Sequence, residues 1–233
     1  MAIGMRMYGA PRRPAREWIE AFRDVPVANI ADNMNRLYCV DTAIKPMNRG
    51  RLLGCAYTVK APAGDNLMIH KALHSAAPGD ILVVDGGGYS GRALIGGIML
   101  NQSATRGLGG WLIDGVVRDR DEVEASDMPL YARGYQPNGP YKNGPGEINV
   151  PVCVGGQVVL PGDIIVGDAD GVVIIHPWDA VELARKARAQ KEREANVLVD
   201  VHNGILDTEW IERFCADKQL EIIRERFDLE EWE

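Results

Sequence analysis

One stretch of the chain has the order of elements that builds a strand–helix–strand unit. Residues 81–84 (ILVV) are apolar, residues 86–91 (GGGYSG) fit G-x-G-x-x-G, and residues 96–106 have the composition of a helix. Residues 110–114 (GWLID) form a second apolar run that ends in an acid. This order is the pattern of a dinucleotide-binding unit. It leaves open whether the loop binds a nicotinamide or flavin cofactor or a smaller anion.

Size and charge limit the classes of function. At 233 residues the chain is long enough for one large domain or two small ones with a buried core. Its net charge of −7 repels phosphate backbones, so we predict that it binds no nucleic acid. The sequence shows no run of about 18 apolar residues and no apolar core of a signal peptide. We therefore expect a cytoplasmic protein without a membrane span.

Other segments indicate further strands and helices. A Pro-Gly-Asp turn leads into an apolar run twice, in residues 78–86 (PGDILVVDG) and 161–168 (PGDIIVGD), which predicts two strands in a common core. The periodicity also predicts strands over 54–61 and 172–175 and helices over 14–24, 30–38 and 66–76. Residues 134–149 are rich in Gly, Pro and Asn, which predicts a loop or hairpin.

The last part of the chain differs in character. From Trp178 onward, apolar residues follow a helical stripe among Arg, Lys and Glu, and a second helix begins near Trp210. The stripe is too small to bury a core alone. We therefore predict an α/β domain over residues 1–177. A helical tail over 178–233 is predicted to pack on this domain or on a neighbouring subunit.

Common catalytic patterns are missing from the sequence. His70 and His74 have the i, i+4 spacing of zinc ligands, but the metalloprotease pattern needs a glutamate where this chain has Lys71. Ordinary helix histidines are therefore favoured, and His176, which precedes a proline at a strand end, favours a structural role. The four cysteines form no C-x-x-C motif and are expected to be free, mostly buried thiols.

Arg118 and Asp119 follow an apolar strand in the segment GVVRDRD, residues 115–121. The guanidinium of Arg118 offers a planar fork that matches a carboxylate. The carboxylate of Asp119 offers a hard oxygen ligand for Mg²⁺ or Mn²⁺. An isolated Arg-Asp pair is more often a solvated turn, so the interpretation depends on the neighbouring segments.

Those segments together resemble one family. Residues 78–84 (PGDILVV), the glycine loop, 112–119 (LIDGVVRD) and 161–173 (PGDIIVGDADGVV) resemble the RraA-like family. Residues 63–70 (AGDNLMIH) are similar to its 4-hydroxy-4-methyl-2-oxoglutarate / 4-carboxy-4-hydroxy-2-oxoadipate aldolase branch. The resemblance covers roughly residues 26–195. It implies an α/β/β/α sandwich of the swivelling β/β/α type, assembled as a homotrimer or homohexamer.

The resemblance also implies a site for the pyruvate part of a small 2-oxo acid. Arg118 is implied to bind that substrate and to stabilise its enolate, and Asp119 is implied to bind Mg²⁺ or Mn²⁺. Backbone amides at a helix start are implied to hold the pyruvate carboxylate, as a helix N-terminus can. They belong to Gly96, Gly97, Ile98 and Met99. Acids from elsewhere in the trimer are implied to hold metal-bound waters, at Asp32 and at Glu192 or Glu194.

The implied activity is that of a class II, metal-dependent lyase that acts as a pyruvate aldolase or an oxaloacetate decarboxylase. One alternative is a non-catalytic regulator of the RraA type, which inhibits a ribonuclease by contact. The resemblance implies that such regulators lack the metal-binding aspartate, so Asp119 favours an enzyme. A second alternative, from the glycine loop alone, is an NAD-dependent oxidoreductase.

One position departs from the aldolase pattern. The aldolases carry an acid twenty-one positions before the arginine, where this chain has Gly97. Decarboxylation needs only stabilisation of an enolate, whereas aldol cleavage also needs a base for the substrate hydroxyl. The sequence therefore predicts that oxaloacetate decarboxylation exceeds aldol cleavage, and that Gly97→Asp raises aldolase activity.

Overall fold

The structure is a computed structural model that describes residues 3–224. Its strands are β1 (Met5–Met7), β2 (Lys45–Pro46), β3 (Leu52–Lys60), β4 (Asp80–Asp85), β5 (Gly110–Asp114), β6 (Val116–Val117), β7 (Leu130–Ala132), β8 (Gly134–Tyr135), β9 (Gly146–Ile148), β10 (Val152–Val154), β11 (Gln157–Val159), β12 (Ile164–Asp168) and β13 (Gly171–Ile175). Its helices are α1 (Arg16–Glu20), α2 (Val27–Asp32), α3 (Leu67–Ser75), α4 (Gly97–Thr105), α5 (Arg120–Glu124), α6 (Ala180–His202) and α7 (Glu209–Asp217).

A mixed sheet forms the centre of the fold. Seven strands follow the order β1-β9-β3-β4-β5-β7-β2, and β12 pairs with both β3 and β13. Strands β3, β4, β5 and β7 run parallel, whereas β12 is antiparallel to β3 and to β13. Asp85 pairs in register with Asp114, so β4 and β5 end side by side. The predicted α/β class is confirmed.

The central strands are apolar throughout because both faces of the sheet are covered. In β4, Leu82 and Val84 pack with α3 and α4, while Ile81 and Val83 pack with β10 and β11 on the other face. Along the β12–β13 hairpin, a third cluster packs against α1, α2 and the beginning of α6. Helices therefore cover the sheet and the hairpin, and β10–β11 forms a second β layer.

Most predicted elements are present, with shifted ends. The predicted helix over 30–38 is wrong in place, because α2 ends at Asp32 and Asn35 and Arg36 adopt positive φ angles of 52° and 61°. Of the two alternatives predicted for residues 134–149, the loop is correct over 136–145; the flanking strands form no hairpin, since β8 pairs with β6 and β9 pairs with β1 and β3. Side-chain periodicity does not report such long-range pairing.

All four cysteines are free, as predicted, but only Cys55 is buried. Burial raises the pKa of its thiol to about 12. Cys39 and Cys153 are exposed and Cys215 is partly buried, so the expectation of mostly buried thiols is wrong. Cys153 lies in β10, and Cys39 forms an isolated bridge with Val173. Side chains alternate between the two faces of extended chain, and both cysteines are on the exposed face.

The chain divides into two compact units, Met1–Lys191 and Glu192–Glu233, with the boundary inside α6. In the first unit, the beginning of α6 buries Leu183 and Ala187 in the third cluster. In the second, Trp210 and Phe214 of α7 make an edge contact with ring centroids 6.1 Å apart. The division into 1–177 and 178–233 stays a prediction, and residues 225–233 lie outside the described residues. No helix within residues 3–224 is long and apolar enough to cross a bilayer.

Replacement of Ser103 by Ala tests the contact that joins α4 to the sheet. The buried Ser103 hydroxyl accepts the Trp111 indole N–H at 2.9 Å and donates to the Leu100 carbonyl at 2.6 Å. Without it a buried N–H is unpaired, so we expect a loss of roughly 1–3 kcal/mol in unfolding free energy, measured by denaturant titration. Thr105→Ala, which removes an exposed hydroxyl of the same helix that donates to the Asn101 carbonyl, should change stability by less than about 0.5 kcal/mol. Equal stability of the two variants would contradict the assignment.

Candidate functional site

The candidate site lies at the first turn of α4. Gly96 is extended, with φ −148° and ψ −169°, and its carbonyl accepts the first helical hydrogen bond, from Leu100 N–H at 3.2 Å. The N–H of Gly97 donates to Oδ2 of Asp119 at 2.9 Å. Among the described residues, the N–H groups of Ile98 and Met99 have no acceptor. Two unpaired donors at a helix start favour an anion.

Asp119 reaches α4 because its backbone is left-handed. Its φ and ψ are 63° and 54°, a conformation that few residues other than Gly, Asn and Asp tolerate. Its carbonyl accepts the Val123 N–H at 3.0 Å, so this same residue begins α5. The side chain is 40% exposed, and Oδ1 accepts no hydrogen bond from the described residues. Asp119 thus offers one free carboxylate oxygen to solvent.

Gly96 is required by this close approach. A Cβ at residue 96 would overlap with Oδ2 of Asp119 and press on the side chain of Arg118. Any larger residue would therefore separate the carboxylate from the helix start.

Arg118 lies beside Asp119 over the same helix start. Its backbone N–H donates to the Ile95 carbonyl at 3.1 Å, and its Nε is 3.8 Å from Oδ2 of Asp119. The guanidinium passes close to Gly139, where a Cβ would lie 3.0 Å from Nη1. The side chain is 42% exposed, so its fork remains accessible to a ligand.

These groups line one cavity of about 270 Å³. That volume suits a small organic acid better than a dinucleotide. The lining residues come from α3, the start of α4, the β6–α5 turn and the loop before β9. They are Asn66, His70, Leu94, Ile95, Gly96, Ile98, Met99, Arg118, Asp119, Gly139, Pro140 and Lys142.

The loop over the cavity is held by Arg92. This guanidinium donates to the Gly139 carbonyl at 3.0 Å and to the Tyr141 hydroxyl at 2.9 Å, and it lies 4.2 Å from the centre of the Tyr141 ring. From below, Asn66 donates its amide to the Leu94 carbonyl at 2.9 Å. Oδ1 of Asn66 is buried and accepts no hydrogen bond within residues 3–224. A buried acceptor without a partner is uncommon outside sites that bind a ligand or water.

The charges of the cavity favour an anion beside a cation. Arg118 and Lys142 are basic, and Asp119 is the acid among the lining residues. Burial, followed by repulsion from Lys142 and His74, lowers the pKa of His70. His70 is therefore neutral at pH 7. The sequence predicted an ordinary helix histidine at residue 70. The structure places its side chain in the lining of the cavity.

A divalent cation would meet one direct protein ligand here. The described residues contain no group of three or more His, Cys, Asp or Glu side chains that could hold a metal. Zinc commonly takes three or four protein ligands, whereas Mg²⁺ keeps several waters and binds through one or two carboxylates. The open Oδ1 of Asp119 fits the second case.

Among the other implied acids, Asp32 does not line this cavity. Asp32 lies at the end of α2, where Oδ1 pairs with Arg36 Nη2 at 2.7 Å and Oδ2 accepts from Gln190 Nε2 at 3.2 Å. Glu192 and Glu194 are exposed on α6, in the part of the chain that belongs to the second compact unit. Their role as holders of metal-bound water stays a prediction.

The G-x-G-x-x-G loop does not open α4. Gly87 and Gly88 turn with φ angles of 66° and 68°, and Gly88 N–H donates to the Asp114 carbonyl at 3.1 Å. A Cβ at Gly86 would overlap with Leu94 and with that carbonyl. The glycines let the chain pack on the end of β5, and the helix start lies six residues beyond the motif. This placement argues against a dinucleotide site.

Glu122 is a neighbour of the site that the sequence does not identify. Its carboxylate occupies the space where a Cβ of Gly97 would lie, so Gly97→Asp would have to displace Glu122. This geometry argues against the expected gain in activity from Gly97→Asp alone. The sequence shows an acid at residue 122, but not that α5 turns its side chain toward α4.

His176 has the structural role that its sequence position favours. Its Nδ1 lies 2.8 Å from Oδ1 of the buried Asp163, and its ring stacks on Trp178 with centroids 4.5 Å apart. Burial raises the pKa of Asp163, while the hydrogen bond from His176 opposes that rise. His176 does not line the candidate cavity.

Comparisons with known proteins agree with this geometry. Residues 27–174 match the RraA-like family, described as Aldolase/RraA. The chain is 37% identical over 188 residues to a Halalkalibacterium halodurans protein named "Putative 4-hydroxy-4-methyl-2-oxoglutarate aldolase", which covers 79% of this chain and 90% of that protein. These similarities confirm the predicted resemblance.

Two solved structures are similar in fold. The RNA-processing inhibitor RraA from Thermus thermophilus has a TM-score of 0.60 and 31% identity, over 65% of this chain and 93% of its own. A protein from Pseudomonas syringae has a TM-score of 0.72 over 83% of this chain and 96% of its own. Its 24% identity supports the fold alone.

Removal of the Lys142 charge tests the electrostatics of the cavity. We expect Lys142→Met to raise the pKa of His70 toward its ordinary value, as measured by NMR titration, while burial still holds it low. The pKa of His70 in the folded state lies below its unfolded value of about 6.5, so the free energy of unfolding decreases as pH falls through about 6.5. This decrease should be smaller in Lys142→Met. Lys186→Met, on α6, is the control. An unchanged or lower pKa in the Lys142 variant would contradict the assignment.

Proposed function

Because the chain belongs to the RraA-like family, we propose that it is a divalent-metal-dependent carbon–carbon lyase that releases pyruvate from small 2-oxo acids. One juxtaposition carries this proposal. The free carboxylate oxygen of Asp119, the guanidinium of Arg118 and the unpaired amides of Ile98 and Met99 all face one small cavity. The relative named as an aldolase supports the same class of reaction.

Each group has a role that follows from its chemistry. The amides of Ile98 and Met99 bind the substrate carboxylate at the positive end of α4. Arg118 donates to the 2-oxo oxygen, where negative charge grows as the enolate forms. Lys142 adds positive charge to the lining of the cavity, which suits a substrate with a second carboxylate.

Asp119 is the proposed ligand of Mg²⁺ or Mn²⁺. A bound cation would supply Lewis-acid stabilisation of the enolate. The chain itself holds the carboxylate in place through the Gly97 N–H, which orients Oδ2 and leaves Oδ1 open. Orientation of a metal ligand by a hydrogen bond is worth about 10–100-fold in affinity or activity in metalloproteins.

Two reactions use this arrangement. Oxaloacetate decarboxylation and retro-aldol cleavage of 4-hydroxy-4-methyl-2-oxoglutarate both leave an enolate of pyruvate. The aldol reaction also requires a base that removes the proton of the C4 hydroxyl, a contribution of typically about 10²–10⁴ in rate. Gly97 supplies none. A screen of 2-oxo acids with Mg²⁺ and Mn²⁺ that follows pyruvate release tests the proposal, and failure of every substrate would refute it.

A regulator that acts by contact is the second candidate. It is favoured by the 31% identity to the RNA-processing inhibitor from Thermus thermophilus. Thermal shifts distinguish the two candidates, because an enzyme of the proposed type is stabilised by Mg²⁺ together with oxalate or pyruvate. A regulator without a metal site shows no such joint stabilisation. We also propose that the chain assembles with itself as a trimer or hexamer, which light scattering at micromolar concentration would test.

Asp119→Ala should abolish metal-dependent turnover while the fold is retained. The loss should exceed about 100-fold, because loss of an outer partner alone already costs 10–100-fold. The measurement is kcat/KM against metal concentration, with circular dichroism for the fold. Asp121→Ala removes an acid from the first turn of the same helix and should retain activity. Unchanged turnover of the Asp119 variant at limiting Mg²⁺ would refute the role of this carboxylate.

Arg118→Lys should be nearly as inactive as Arg118→Ala. Lysine keeps the charge but lacks the fork that meets a carboxylate and an enolate oxygen together. Loss of such a donor costs about 10²–10³ in kcat. Arg120→Lys, which alters the exposed ion pair with Glu124, should have little effect. A lysine variant with kcat/KM close to that of the natural chain would show that charge alone is sufficient.

A further inference from the structure

Gly97 lies between two carboxylates. Its N–H donates to Oδ2 of Asp119, and its Cα faces the carboxylate of Glu122. The three atoms nearest to the position of a Cβ at residue 97 all belong to the end of the Glu122 side chain. Asp119 is the N-cap of α5 and Glu122 lies in its first turn, so both carboxylates come from the start of this helix.

Asn101 fixes Glu122 in this position. Its side-chain amide donates to Oε1 of Glu122 at 2.6 Å and also to the Gly97 carbonyl at 2.9 Å. One residue of α4 therefore holds the carboxylate of α5 on the helix start. Oε2 of Glu122 accepts no hydrogen bond from the described residues, and the side chain is exposed to solvent.

The position of Glu122 connects it with the proposed reaction. Glu122 lines a second cavity that adjoins the first, since Ile98 lines both. Ile98 is 72% exposed, so the rim that the two cavities share is open to solvent. One ordered water is enough to join a carboxylate at this rim to a substrate group, because water-mediated bonds transmit proton transfer.

We propose that Glu122 is the second acid of the site and serves as the base for aldol cleavage. This inference rests on the proposed lyase function and deepens it. The chain lacks an acid side chain at residue 97, and the space for such a side chain is filled by a carboxylate from the neighbouring helix. We therefore assign to Glu122 the role of the acid that the aldolases carry at the position of Gly97.

Glu122 accepts the proton of the substrate C4 hydroxyl through a water. The C3–C4 bond breaks, the C4–O bond becomes a carbonyl, and the electron pair of the broken bond passes to the pyruvate enolate stabilised by Arg118. Return of the proton from Glu122 to C3 gives pyruvate and regenerates the carboxylate. Decarboxylation of oxaloacetate forms the same enolate without the first proton transfer.

Glu122→Gln is the principal test, because glutamine can still accept the hydrogen bond of Asn101 while the charge is lost. We expect kcat for aldol cleavage to fall by about 10²–10⁴, and oxaloacetate decarboxylation to fall by less than about 10-fold. Glu124→Gln, which alters an exposed acid of the same helix, is the matched control. Mn²⁺ affinity, followed by electron paramagnetic resonance without substrate, should fall about 10-fold in Glu122→Gln only.

Moving the carboxylate provides a rescue test. Glu122→Ala clears the space beside Gly97, so the double variant Glu122→Ala/Gly97→Asp places an acid there from α4 instead of α5. We expect this double variant to recover at least 10-fold of the aldol activity lost in Glu122→Ala. Gly97→Asp alone should gain nothing, because the new side chain displaces Glu122. A gain in the single variant, or no rescue in the double, would overturn the proposal.

The outcomes also separate this inference from the proposed function. Suppose that the natural chain releases pyruvate with Mg²⁺, but that Glu122→Gln and Glu124→Gln have the same Mn²⁺ affinity and the same ratio of aldol cleavage to decarboxylation. The role of Glu122 is then refuted, and the lyase function is retained. If the natural chain cleaves no 2-oxo acid, the lyase proposal fails. A Mn²⁺ affinity that still falls in Glu122→Gln would then support the pair of carboxylates alone, and an unchanged affinity would refute both.

Discussion

The site depends on one hydrogen bond, from the N–H of Gly97 to Oδ2 of Asp119. It joins the start of α4 to the start of α5. The bond requires a left-handed aspartate, with φ 63°, and a residue 96 without a Cβ. Backbone strain of this kind persists only where the surrounding structure compensates for it, and it is concentrated at functional sites. The buried strands β4 and β5 and the Trp111–Ser103 contact provide that rigid support.

The fold separates support from chemistry. The parallel strands β3, β4 and β5 are buried on both faces and carry no group of the candidate cavity. The cavity is formed by segments that connect these strands, as is usual when a rigid sheet positions variable loops. The glycine loop belongs to the support, because it lets the chain pack on the end of β5. The free amides of α4, which are the proposed anion site, begin seven residues beyond the motif.

The electrostatics of the cavity are asymmetric. Arg118, Lys142 and two unpaired amides present positive charge to a ligand, while Asp119 presents one open carboxylate oxygen. Such an arrangement suits an anion and a hydrated cation side by side, as the proposed function requires. Glu122 adds a further carboxylate at the rim without crowding the anion site, because Gly97 has no side chain and leaves space for it.

The sequence by itself determined the α/β class, the central strands and the pairing of Arg118 with Asp119 at a strand end. Apolar runs and Pro-Gly-Asp turns are local signals, and a strand buried on both faces needs no distant partner to be recognised. The range predicted for α2 was wrong, because the end of this helix at Asp32 depends on its packing against the β12–β13 hairpin. Only the tertiary structure decided that Asn66, His70 and Lys142 share a cavity and that Asp32 lies elsewhere. The tertiary structure also shows that the carboxylate of Glu122 occupies the space beside Gly97, because α5 packs on α4. A sequence does not record which side chain fills the space beside a glycine.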